Sequence, residues 1–307
     1  MPSRHPSRLG ISRALATAMS VGLLLAACGP GAGASPNGTG GLRVIATTTV
    51  FADIVRNVGG NRVSVDSIIP AGAGPEDYEP KPDDAKKLAD ADLIVSNGVG
   101  LDDFLNGLVD AAGQHAAPRL VLGDGTPPII VNGEPNPHFW LDPTLVIDHY
   151  LPKIATALTK LDPADAATYE ANRAVYASKL AELDTASKAK IETVPLANRK
   201  LVTFHDAFPY FARHYGFELI GVILANVGQE PTAADLAALV DTVKAAGVKA
   251  VFSEAQFSPD LARTLAEEAG VATVVTTLYN DTVGPPPVNT YITMMEWNVN
   301  EIVKALR

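Results

Sequence analysis

The chain has 307 residues with 24 Lys and Arg against 34 Asp and Glu, a formal net charge of −10. That balance, with no basic patch along the chain, excludes a phosphate-backbone partner such as nucleic acid and favours cations. A single cysteine, Cys28, excludes an internal disulfide.

The first 13 residues carry Arg4, Arg8 and Arg13 and no acid, and an apolar run follows from Ala14 to Ala27. A basic start, a short apolar core and small residues at its end make a secretory signal. The run is shorter than the roughly 20 residues that a spanning helix needs. Its end, Leu25-Ala26-Ala27-Cys28, resembles a bacterial lipobox, in which the cysteine becomes the first mature residue and carries lipid. The alternative is a cleaved signal followed by a free thiol, a liability in an oxidising compartment. We therefore expect a lipoprotein signal peptide over 1–27, lipid attachment at Cys28 and a membrane anchor on the periplasmic or outer cell face. Taking the signal's three Arg from the 24 basic residues leaves 21 against 34 acids, a net charge of −13 on the mature chain. Residues 28–41 are rich in Gly, Ala and Ser and read as a flexible tether.

From Leu42 onward strands alternate with helices. Leu42–Thr47 and Val63–Ile69 read as strands around a helix over Val50–Val58. A short helix over Pro82–Ala91 precedes a strand over Asp92–Ser96. Such alternation predicts an α/β lobe with a mostly parallel sheet. Between Thr144 and Thr193 the pattern is helical, with Pro152 and Pro163 as points where it kinks or splits. Alternation then resumes: strands over Lys200–Thr203, Glu218–Val222, Ala250–Ser253 and Thr273–Thr276, with helices over Phe208–Tyr215, Ala233–Ala246, Pro259–Ala269 and Thr290–Leu306. The expected organisation is an N-terminal lobe over 42–143, a linking helical segment over 144–193 and a C-terminal lobe over 194–307. Ligands of open α/β sheets sit at the carboxyl ends of strands, and with two lobes the natural site is the cleft between them.

Four loops there carry candidate ligands. They are the carboxylate-rich Pro70–Pro80 stretch, Asn136-Pro137-His138-Phe139-Trp140-Leu141-Asp142-Pro143, Thr203-Phe204-His205-Asp206, and Leu278-Tyr279-Asn280-Asp281. Two imidazoles and two carboxylates complete a four-ligand set for a first-row divalent ion. Asp142 and Asp206 read equally well as helix caps. His115, His149 and His214 stand in no motif, and the last two read as surface or packing residues. Trp140 and Phe208 are expected to wall the cleft, and Trp297 to be core.

These pieces resemble the metal-binding solute receptors of ABC importers, the cluster of zinc and manganese receptors and lipoprotein adhesins. The similar stretches are Ala46–Asp53, Tyr78-Glu79-Pro80, Ala91-Asp92-Leu93-Ile94, Asn136–Pro143, His205-Asp206-Ala207-Phe208, Gln229-Glu230-Pro231-Thr232, Phe252-Ser253-Glu254, Phe257-Ser258-Pro259 and Tyr291–Asn298. The resemblance implies two lobes joined by one long, rigid helix, with one metal held by two residues from each lobe. Carried over residue by residue, it implies His138, His205 and Asp281 as ligands. The family's Asp-Pro-His before Tyr-Glu-Pro is replaced here by Gly74-Pro75-Glu76. Glu76 therefore stands where a histidine is expected, with Asp77 as the neighbouring alternative. The implied cargo is one Zn2+ or Mn2+, and the implied partners are an importer permease and, through it, an ATPase. Carboxylate favours manganese and imidazole favours zinc, and His205 tips the balance slightly to zinc. The protein is expected to be a monomer and not an enzyme. A metal-stabilised surface adhesin and a metal-dependent hydrolase are the alternatives. The hydrolase reading finds no His-Glu-x-x-His motif or nucleophile elbow here.

Overall fold

The structure, a computed structural model, describes residues 41–75, 78–112, 117–224 and 230–307. In the first half of the chain, β1 (Leu42–Ala46), β2 (Val63–Ser67), β3 (Leu93–Ser96) and β4 (Arg119–Val121) form one sheet in the order β2-β1-β3-β4. All three pairings are parallel. The crossovers are α1 (Thr49–Gly59), α2 (Pro82–Ala89) and α3 (Phe104–Ala112). The chain leaves β1 toward one side for β2 and returns to the other side for β3. The loops after β1 and β3 therefore diverge, the arrangement that opens a crevice at the carboxyl ends of the strands.

Burial alternates along these strands because both faces of the sheet are covered. Val44, Ala46, Leu93 and Val95 point into the main core, while Ile45 and Ile94 point to a second cluster with Ile68, Leu88 and Leu105. A short antiparallel hairpin, β5 (Ile130–Val131) and β6 (Glu134–Pro135), follows β4 and leads into the His138 loop.

The linking segment is not one helix. It begins with α4 (Pro143–Leu145), widens into a π-turn over Val146–Tyr150 and continues as α5 (Leu151–Leu161). Pro152 is the second residue of α5, directly after the π-turn, so its missing N–H falls where the helical hydrogen-bond ladder changes register. Pro163 opens a separate 3-10 turn, and only then does α6 run unbroken for 26 residues, Ala166–Ile191. Its buried positions, Tyr169, Tyr176, Leu180, Leu183, Asp184, Ser187 and Ile191, fall on one face of the helix. That stripe packs against α1, α5 and α10 (Tyr291–Leu306).

The second half holds β7 (Lys200–Thr203) paired in parallel with β8 (Glu218–Val222), and β9 (Ala250–Glu254) paired in parallel with β10 (Thr273–Leu278). β9 lies beside β7. The crossovers are α7 (Pro209–Tyr215), α8 (Ala233–Ala246) and α9 (Asp260–Ala269). Leu201, Ala250 and Phe252 face the main core, while Val202 and Val251 face a separate cluster with Val240, Val243 and Leu265. Each lobe thus has an outer core of its own, and both share the central one. No described helix is long and apolar enough to cross a membrane.

Candidate metal centre

His138, His205 and Asp281 come from three separate loops, and one potential ligand atom of each lies within 4.8 Å of the others. All three are buried. The His138 and His205 rings are 5.3 Å apart, centroid to centroid. Asp281 sits between them: its Oδ1 is 3.4 Å from His138 Nε2 and its Oδ2 3.8 Å from His205 Nε2. Burial pushes the pKa of this carboxylate up, but the two imidazoles and Gln256 outweigh it and hold the group low. Gln256 Nε2 donates to Asp281 Oδ2 at 2.6 Å.

Each residue is placed by local chemistry. His138 follows the β5–β6 hairpin, which is pinned where Tyr210 Oη accepts from Ile129 N and donates to Asn136 O. Asn136 then serves both imidazole loops. Its Nδ2 donates to the carbonyl of Asp206 at 2.6 Å, so its Oδ1 is the end that faces His138, accepting from the His138 backbone N–H at 3.1 Å. The His138 Nδ1 lies 3.1 Å from the same oxygen. An acceptor at Nδ1 holds a ring proton there and leaves Nε2, the nitrogen beside Asp281, as the one available to a cation. A second support comes from the β3 turn, where Asn97 Nδ2 donates to Pro137 O at 2.9 Å. That turn contains Val99 at φ 56°, a left-handed conformation that a β-branched residue rarely adopts. Buried Asp102 holds it, accepting from the backbone N–H groups of Asn97 and Gly98.

On the other side, His205 lies two residues beyond β7 and Asp281 three beyond β10. The Asp281 loop is tied to the first lobe. Trp140 Nε1 donates to Asn280 O at 2.7 Å, Gly72 N to Thr282 Oγ1 at 3.0 Å, and Val283 N to Thr49 Oγ1 at 2.9 Å. A cavity of about 690 Å3 reaches the centre, lined by His138, His205, Asp206, Asn136 and Val99.

Glu76 and Asp77, the candidates for the first ligand, lie outside the described residues, as does Cys28. The residues flanking the former, Gly72 to Gly74, Tyr78 and Glu79, border a cavity of about 450 Å3 shared with Gln256 and Phe257. Phe257 in turn contacts the His205 ring at 5.4 Å.

Among the other candidates, Asp142 is a helix cap, accepting from Thr144 N at 2.9 Å. Asp206 is not: the residue at the start of α7 is Phe208, without a side-chain cap, and Asp206 instead lines the cavity. Trp140 does wall the centre, its ring 5.1 Å from that of His138, whereas Phe208 is sealed in the core against Phe211. His214 is no free surface residue. It bridges Asp142 (3.2 Å) and Asp184 of α6 (2.6 Å).

Sequence reasoning passed over Asn136, Gln256, Asn280 and Glu254. Asn136, Asn280 and Glu254 stand within stretches quoted above and Gln256 just before one, but nothing local in the sequence gives an amide or a buried glutamate a partner 25 to 75 residues away.

Comparison with known proteins decides the family. The zinc-uptake complex component A periplasmic family, ZnuA, matches over residues 44–305. The chain belongs to the ZnuA family. It is 32% identical to the manganese-binding lipoprotein MntA of Halalkalibacterium halodurans, across 94% of this chain and 96% of that one. It is similar to the Mn-bound periplasmic metal binding protein from Candidatus Liberibacter asiaticus, with a TM-score of 0.78, 28% identity and coverage of 87% of this chain and 100% of that one. It is also similar to the periplasmic zinc binding protein TroA from Treponema pallidum, with a TM-score of 0.80, 26% identity and coverage of 87% and 99%. As a member of the ZnuA family it is an exported, extracytoplasmic substrate-binding protein and not an enzyme.

Proposed function

We propose that this chain captures one divalent transition metal outside the cytoplasmic membrane and delivers it to an ABC importer. The observation that carries the reading is the convergence of two buried imidazoles and a buried carboxylate, from three loops at strand ends, within 4.8 Å. His138, His205 and Asp281 are the ligands on this reading. Glu76 is the fourth, supported by the position of its flanking residues at the Gln256 and Phe257 side of the centre. Residues 42–143 and 194–307 are the two lobes, each supplying two ligands, with 144–193 linking them. Lipid on Cys28 holds a monomeric receptor at the membrane beside its permease and ATPase.

Two nitrogen and two oxygen donors suit both zinc and manganese, and the order of affinities places zinc above manganese at such a site. Zinc is therefore slightly favoured as the cargo. A closed shell of four protein ligands leaves no open position for a reacting water, which separates this reading from a hydrolase.

Titration of the purified, metal-stripped chain tests it. We expect 1:1 binding, tighter for zinc than for manganese, weakened by more than about 100-fold in His138→Ala, because a lost ligand costs more than a lost outer-shell partner. Glu76→Ala should weaken binding in the same direction. Absence of binding at micromolar metal, or wild-type affinity in His138→Ala, would overturn the assignment. Affinity should also fall as the pH is lowered, because protons compete with the metal for both rings.

A further inference from the structure

We infer that Glu254 is a positioning residue for the metal: its carboxylate holds the Nδ1 edge of His205 so that Nε2 faces the centre. The inference rests on the receptor reading above and deepens it. Glu254 is the last residue of β9 and only 1% exposed, and its Oε1 lies 3.4 Å from His205 Nδ1. Neither carboxylate oxygen has a hydrogen-bond partner within normal range among the described residues. A buried carboxylate without such partners is costly unless its site has a use for the charge.

The opposite edge of the ring fixes the tautomer independently. Asn280 Oδ1 accepts from the Asp281 backbone N–H at 2.7 Å, so the amide end facing His205 is the NH2 group. That Nδ2 lies 3.3 Å from His205 Nε2. An NH2 group donates, so Nε2 is the acceptor and the ring proton is on Nδ1, facing Glu254. A cation arriving at His205 would take over the Nε2 lone pair that Asn280 holds here, while Nδ1–H points at a carboxylate. The two imidazoles are held unequally: the acceptor behind His138 is the neutral amide of Asn136, and the acceptor behind His205 is an acid. A carboxylate behind an imidazole raises the basicity of the coordinating nitrogen and locks its orientation. Coordination polarises the N–H and should shorten the 3.4 Å contact.

The test compares zinc affinity, by chelator competition, in the full chain and in Glu254→Ala and Glu254→Gln. We expect about 10- to 100-fold weaker binding in Glu254→Ala, with partial recovery in Glu254→Gln, whose amide oxygen still accepts. The melting temperature of metal-stripped Glu254→Gln should not fall, because the isostere fills the same volume and breaks no hydrogen bond within normal range. In the zinc-loaded chain, histidine 15N spectra should show His205 bound through Nε2 and protonated at Nδ1. Wild-type zinc affinity in Glu254→Ala, coordination of His205 through Nδ1, or loss of an oxygen neighbour of zinc from the X-ray absorption spectrum of Glu254→Ala would each overturn the inference. If the wild-type chain itself fails to bind zinc, it is the receptor reading that falls.

Discussion

Asn136 is the residue through which the two imidazole loops are joined. Its side chain makes bonds of 2.6 and 3.1 Å to the Asp206 carbonyl and the His138 N–H, and its oxygen faces His138 Nδ1. Asn136 is almost fully buried, so truncation leaves these groups without replacement water. We expect Asn136→Ala to lose about 1–3 kcal/mol of stability by denaturant unfolding. We also expect about 10- to 100-fold weaker metal binding, since the tautomer of His138 is no longer enforced. Loss of stability with unchanged affinity would reduce Asn136 to a structural role. At this scale the sequence was informative about the candidate ligands and silent about what aims them. His138, His205 and Asp281 stand in recognisable loops, but their acceptors and donors come from residues whose local sequence carries no such signal.

Elements meet at the His214 junction. Asp142 caps α4, Asp184 lies on α6 and also pairs with Lys188, and His214 of α7 reaches both acids. Burial lowers the His214 pKa, but the two carboxylates outweigh it and the net shift is upward. Burial likewise raises those of Asp142 and Asp184, yet hydrogen bonds to His214 and to Thr144 or Lys188 bring both below the usual range. A raised imidazole pKa contributes stability that is complete below about 6.5 and is lost as pH rises through the folded-state value. Lowered carboxylate pKa values contribute stability that is complete above about 3.9 and is lost as pH falls through theirs. The junction should therefore contribute most between about pH 4 and 6.5. His214→Ala should lose about 1–3 kcal/mol there and less at pH 8, read from melting or denaturant curves across pH. A pH-independent difference would sink this account. The helical pattern over 144–193 was legible, and the prolines marked its breaks. The role of His214 was not, because a helical histidine without neighbours of note in sequence gives no hint that two acids meet it in space. On α6 the helix was legible in the sequence but its buried stripe was not, because apolar residues are spread around it; Leu180→Ala, at a fully buried position, should cost about 2–5 kcal/mol.

Across the whole molecule, one continuous hydrophobic cluster runs from Val50, Phe51 and Ile54 of α1 through Leu180 of α6 to Phe252 of β9 and Met295 of α10. Wide separation of the lobes would expose that shared core, so metal entry should involve the ligand loops rather than a swing of whole lobes. Hydrogen exchange with and without zinc should show protection confined to the stretches around 70–80, 136–142, 203–208 and 278–284. Broad changes along α6 would contradict this. If zinc is the cargo and binds the folded chain, as proposed, the melting temperature should climb with free zinc, equivalent to about 4 kcal/mol at a thousandfold excess over the dissociation constant. The alternating α/β pattern and the loops that carry the candidate ligands were determined by the sequence itself, because each depends on residues close along the chain. The sheet order, the shared core, the approach of His138 to Asp281 across 143 positions and the paired acids behind His214 were decided only by the tertiary structure. Their partners are distant in sequence, and no local propensity encodes which of them a fold will bring together.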